Sequence, residues 1–100
     1  LYLMMSFGMI YKILYDQNSE LKRDKKRLQK DSLFSQKIKK YLELLSENPF
    51  SPSLSIKKIV PKTEQKFRLR VWDYRVIYSL DTGNKIILVH RIAPRKDIYR

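Results

Sequence analysis

The chain has no cysteine, so neither a disulfide nor a thiolate metal site can be built from it. That absence suits a reducing cytoplasm. The apolar opening, residues 1–8 (LYLMMSFG), ends at Gly8 and polar residues soon follow, so it is too short to cross a bilayer. It also lacks the basic leading region and the cleavage site of a secretory signal. There is no internal repeat and no low-complexity tract. Histidine occurs once, at His90. Acid is the other scarcity: ten Asp and Glu stand against 22 Lys and Arg, a formal net charge of +12.

What is present fits one globular domain of 100 residues, with 43% hydrophobic and 32% charged side chains. A pI near 10 calls for a polyanion, whether nucleic acid, acidic protein or anionic membrane surface. Residues 57–100 hold 12 basic and 4 acidic side chains, residues 1–56 hold 10 and 6, so the positive field gathers in the C-terminal half. Met9 opens a clean strand pattern. Residues 1–8 are therefore expected to be upstream leader sequence and residues 9–100 the single domain.

The local patterns predict an α+β fold. Residues 9–15, rich in Ile, Leu and Tyr, read as a strand. Asp16, Asn18 and Ser19 supply helix-starting oxygens, and residues 20–30 follow as a solvated helix with Leu21 and Leu28 as its thin apolar stripe. Asp31-Ser32 starts a second helix whose Phe34, Ile38, Tyr41, Leu42 and Leu45 share a face, stopped before Asn48-Pro49. The two make an antiparallel helical hairpin. Residues 50–61 read as a crossing segment with one short strand. Residues 66–71, 74–80 and 85–92 then form an antiparallel β-meander, its last hairpin using Gly83 for the turn geometry. The helices are expected on one face of the sheet.

The meander carries the chemistry. Phe67, Leu69 and Val71 alternate with Arg68 and Arg70, which puts two guanidiniums on one sheet face about 7 Å apart. Arg75 has the parity to join them across the tight turn at Trp72-Asp73, and Arg91, Arg95, Lys96 and Tyr99 come near the end of the last strand. Planar guanidiniums on a rigid sheet can grip phosphate oxygens and stabilise a phosphorane; an aromatic ring can stack on a base. Basic residues on an open sheet face are also commonly mere solvation. His90, alone within an apolar strand, is of a kind more often structural than catalytic.

The segment Phe67-Arg68-Leu69-Arg70-Val71-Trp72-Asp73-Tyr74-Arg75-Val76-Ile77-Tyr78 resembles the central signature of RelE/ParE toxins. The close, Arg91-Ile92-Ala93-Pro94-Arg95-Lys96-Asp97-Ile98-Tyr99, is similar to that superfamily's terminal pattern. The resemblance covers residues 9–100, with sharp motifs from Phe67 onward. It implies the toxin of a type II toxin–antitoxin pair, and in its RelE-like form a ribosome-dependent mRNA endoribonuclease. Such an enzyme needs no metal or other cofactor: the mRNA's 2′-hydroxyl attacks the adjacent phosphate and leaves a 2′,3′-cyclic phosphate. Carried over by position, the catalytic set is Arg68, Arg70, Arg75, Arg95 and Tyr99, and the RNA-binding set is Lys66, Trp72, Arg91 and Lys96. The implied partners are a RelB-like antitoxin with an acidic amphipathic segment, the ribosome and mRNA, with operator DNA reached only through the antitoxin complex and no membrane.

One departure matters. RelE-type members carry lysines where this chain has Arg68 and Arg70, and one of those lysines is a candidate general base. Arginine, with a pKa above about 12, is a poor base. Either Tyr99 takes the proton, its pKa lowered by the positive field, or electrostatic stabilisation does most of the work. The rival reading is a ParE-like toxin that poisons DNA gyrase by contact without hydrolysis. Tyr99 and the full basic set favour the enzyme.

Overall fold

The computed structural model describes residues 10–59 and 65–98. The elements are β1 (Lys12–Tyr15), α1 (Ser19–Gln29), α2 (Ser32–Glu47), β2 (Ile56–Lys58), β3 (Lys66–Val71), β4 (Tyr74–Asp81), β5 (Ile86–Pro94) and the short α3 (Arg95–Ile98). The expected leader, residues 1–8, lies outside the described residues.

Both helix starts are capped as the sequence predicts. Asn18 Oδ1 accepts from the Leu21 amide at 2.7 Å, and Asp31 Oδ1 accepts from the Phe34 amide at 3.2 Å. The second helix ends at Glu47, ahead of Pro49.

The strands form one sheet in the order β1-β5-β4-β3-β2. β2, β3, β4 and β5 pair antiparallel, while β1 lies parallel along β5, Lys12 opposite Ile86 and Tyr15 opposite Val89. A strand can return parallel only after a crossover, which the α1–α2 hairpin supplies along with the meander. One face of the sheet is fully buried through Leu69, Val71, Val76, Tyr78, Ile87 and Val89, against Leu21, Leu28, Ile38, Leu42 and Leu45 of the helices. The alternate residues point the other way, to the face that α1 and α2 leave uncovered, on which Arg75 and Ala93 are nonetheless buried.

Two turns depart from simple expectation. The β3–β4 hairpin closes over Trp72-Asp73 with Trp72 at φ 57°, the left-handed geometry that primed turns require at their first central residue. A bulky side chain there is strained by about 1–2 kcal/mol. The β4–β5 turn does not use its glycine as predicted. Gly83 has no positive φ, and a Cβ on it would meet only Asp81 Oδ1 at an ordinary 3.5 Å; the left-handed residue is Lys85, at φ 55°. Asp81 holds that loop by accepting from the Asn84 amide (3.0 Å) and side chain (2.9 Å).

Candidate nucleic-acid interface

The ladder between β3 and β4 fixes which cations meet. Arg70 lies directly opposite Arg75, and Arg68 lies opposite Ile77, so all three share the uncovered face. Lys57 of β2 stands opposite Arg68, and Lys66 lies two residues before Arg68 on the same side. The face thus carries two successive like-charge pairs across strands, Lys57 with Arg68 and Arg70 with Arg75. Each such pair costs roughly 0.2–1 kcal/mol in an isolated sheet. Along β2, β3 and β4 the acid on this face is Asp81, and its carboxylate is turned into the β4–β5 loop.

The members differ in how they are held. Arg70 is exposed. Arg75 is 6% exposed, and its Nη1 donates to the carbonyls of Trp72 (2.9 Å) and Tyr74 (3.0 Å), so one end of its guanidinium braces the strained turn. Arg95 opens α3, where its amide donates to the Asp73 carbonyl at 2.8 Å, which brings it to the same end of the sheet as Arg70 and Arg75. Lys96 follows it, exposed. Asp97 accepts from Arg27 Nη1 of α1 at 2.8 Å and fastens α3 to the body. Tyr99 lies outside the described residues.

Two residues read as RNA contacts have partners on the helices, although Arg91 stands in the same cross-strand row as Arg68 and Ile77. Trp72, 62% exposed, has Lys37 Nζ of α2 at 4.6 Å from its ring centre, so the indole leans to the helical side of the sheet rather than onto the arginine face. Arg91 is committed to α1. Its Nε donates to Asp24 Oδ2 at 2.7 Å and its Nη2 to Oδ1 at 3.1 Å, with Glu20 at 3.5 Å from Nη1. That pairing raises the Arg91 pKa, the Asp24 hydrogen bond contributing most. Asp24 also accepts from the Ile92 amide at 3.0 Å, capping the edge of β5 that β1 is too short to cover.

Sequence reasoning set His90 aside, and the structure gives it company. Its Nδ1 lies 2.9 Å from Asp16 Oδ2 and its Nε2 2.6 Å from Ser79 Oγ. The Asp16 carboxyl is held below its ordinary range, first by the hydrogen bond with His90, then by those from the Gln17 amide and Asn18. No sequence spacing advertises a group drawn from the β1–α1 connection, β4 and β5. Among the described residues no three His, Cys, Asp or Glu side chains gather as a metal site would require.

A family model for the ParE toxin of type II toxin–antitoxin systems matches residues 10–99. The chain belongs to this family. The superfamily signature at residues 67–78 and the α+β fold agree with that membership. Solved toxins share the fold. The archaeal RelE–RelB complex from Pyrococcus horikoshii OT3 matches with a TM-score of 0.69 at 23% identity, over 87% of this chain and 97% of that one. The E. coli DinJ–YafQ toxin–antitoxin complex matches with a TM-score of 0.70 at 20% identity, over 90% and 98%. The RelBE2 complex from Mycobacterium tuberculosis matches with a TM-score of 0.62 at 19% identity, over 86% and 99%. Among curated protein sequences none matches significantly. No helix among the described residues is long and apolar enough to cross a membrane.

Proposed function

We propose that this toxin is a ribosome-dependent mRNA endoribonuclease that cuts by attack of the RNA's own 2′-hydroxyl on the neighbouring phosphate. One observation carries the reading: Arg70 set directly opposite Arg75, with Lys57 opposite Arg68 beside them. A sheet gains nothing from facing like charges, and a phosphodiester relieves the repulsion. Arg70, Arg75 and Arg68 hold the scissile phosphate and the charge that develops on it; Arg95 and Lys96 take flanking phosphates, and Tyr99 and Trp72 are candidates to stack on bases. In its cytoplasmic setting the toxin is kept in check by a RelB-like antitoxin whose acidic segment covers the basic face. The neighbouring structures solved as toxin–antitoxin complexes support that partner.

The second reading is a ParE-like gyrase poison that binds without cutting, favoured by the description of the matching family model. Primer extension on a defined mRNA in a translating extract, with and without ribosomes, separates the two. Ribosome-dependent cuts that vanish in Arg70→Ala are expected. Intact mRNA beside gyrase-linked DNA breaks would replace the first reading with the second.

A further inference from the structure

Among the described residues the arginine face carries cations and no general base of its own, and the imidazole of His90 sits further along the same face. β4 and β5 slip register between Ile77 and Tyr78: Ile77 pairs with Arg91 but Tyr78 with Val89, which leaves His90 as the extra residue of a β-bulge. Bulges re-aim side chains, and this one turns His90 toward the uncovered face beside Ser79. Ser79 lies opposite Lys66, so Arg68 is its diagonal neighbour, about 7–8 Å away by sheet geometry.

We propose that His90 is the general base of this ribonuclease, with Asp16 as its positioning residue. The assignment rests on the ribonuclease reading above. Because the partner of Nδ1 is a carboxylate, Nδ1 carries the proton and donates to Asp16 Oδ2, which leaves the lone pair on Nε2. Nε2 accepts from the Ser79 hydroxyl at 2.6 Å. That hydroxyl stands where a ribose 2′-hydroxyl would dock once the serine rotates about χ1. Nε2 takes the 2′-hydroxyl proton as the O2′–P bond forms. The P–O5′ bond breaks, water protonates the departing 5′-oxygen, and the imidazolium, paired with Asp16, returns its proton to solvent. Arg68, the diagonal neighbour of Ser79, is the member of the phosphate-holding arginine set that lies closest to His90 on this face. Among the described residues the charged group in contact with His90 is Asp16 from the β1–α1 connection; Lys66 and Arg68 of β3 lie across β4 on the same face, and Arg91, its neighbour on β5, is engaged by Asp24 and Glu20 of α1. An imidazole thus does the work that the two third-strand arginines cannot.

The test is the single-turnover rate of ribosome-bound mRNA cleavage as a function of pH, on the full chain. The wild-type rate rises with pH, as a reaction drawn by an unprotonated base requires. His90→Gln, with its melting temperature and ribosome binding kept, loses at least about 100-fold and flattens the profile. Added imidazole restores cleavage to His90→Ala. Asp16→Asn cuts more slowly and moves the acid limb to lower pH, since loss of the carboxylate charge makes the imidazole easier to deprotonate. If wild type cleaves and His90→Gln cleaves at the same rate with the same profile, the assignment of His90 is wrong while the ribonuclease stands. If wild type cleaves no RNA, both fall together.

Discussion

Arg91 and Arg70 sit on adjoining parts of one sheet and live in opposite surroundings. At the β5 edge the fold answers its cation completely: Asp24, 2% exposed, takes the Arg91 guanidinium with two hydrogen bonds and the Ile92 amide with a third. At the β3–β4 hairpin it does the reverse and sets Arg70 against another arginine. The scarce acids Asp24 and Asp97 are therefore placed where they close the structure, while Arg70 stands exposed at the hairpin opposite a buried arginine that braces the turn. Net charge alone could not say which cations belong to folding and which to binding.

The sharpest way to break this contrast is to remove the buried acid. Asp24→Ala strands the Arg91 guanidinium and the Ile92 amide together, and breaking a buried, hydrogen-bonded ion pair from one side costs about 3–5 kcal/mol. A domain of this size loses roughly 4–8 °C of melting temperature per kcal/mol, so a drop well above 10 °C is expected by calorimetry. A loss near 1 kcal/mol would mean that the edge of β5 finds other partners and that the two regions differ less than their geometry implies.

Arg70→Ala should give the mirror image. The residue is exposed and faces another cation, so unfolding free energy stays within about 0.5 kcal/mol. Cleavage should fall about 100-fold or more, the usual cost of deleting a donor aimed at developing oxyanion charge. Arg91→Ala should show the reverse ranking, with stability hit harder than the chemistry measured at a temperature where the variant is folded. Equal losses of activity in both variants at matched folding would erase the division between structural and binding arginines.

Much of this was legible in advance. The caps at Asn18 and Asp31, the apolar face of α2 and the alternation through β3 and β4 are local, and local chemistry decided them. The parity of Arg68, Arg70 and Arg75 needed only the turn length between Val71 and Tyr74. Three things needed the assembled sheet. Asp24 falls between Leu21 and Leu28 on one helical stripe, but only the bare edge of β5 explains why a charge belongs there. The parallel seat of β1 joins residues more than 70 apart in sequence, as the Asp16–His90 contact does. The bulge that aims His90 is a register slip, invisible to any period-two pattern. Arg91 and Trp72 group with the RNA set by proximity in sequence, and only the assembled structure shows Asp24 of α1 beside the one and Lys37 of α2 beside the other.

The smallest effect concerns the second carboxylate that serves β5. Asp16, unlike Asp24, is half exposed, and its pKa is depressed chiefly by the hydrogen bond with His90. A carboxyl whose folded value lies below its unfolded one adds stability that is complete above the unfolded value, about 3.9. That contribution drains away as pH falls through the depressed folded value, when the native state also takes up the proton. Urea midpoints of wild type and Asp16→Asn should therefore differ above about pH 4 and converge on further acidification. The Asp24→Ala deficit should dwarf that difference at neutral pH. A gap between wild type and Asp16→Asn that persists undiminished to the acid end would show that Asp16 acts by shape rather than charge. In that event the carboxylate that sets the His90 tautomer would lose its physical basis, and the base assigned to the open face would have to be sought among groups other than this imidazole.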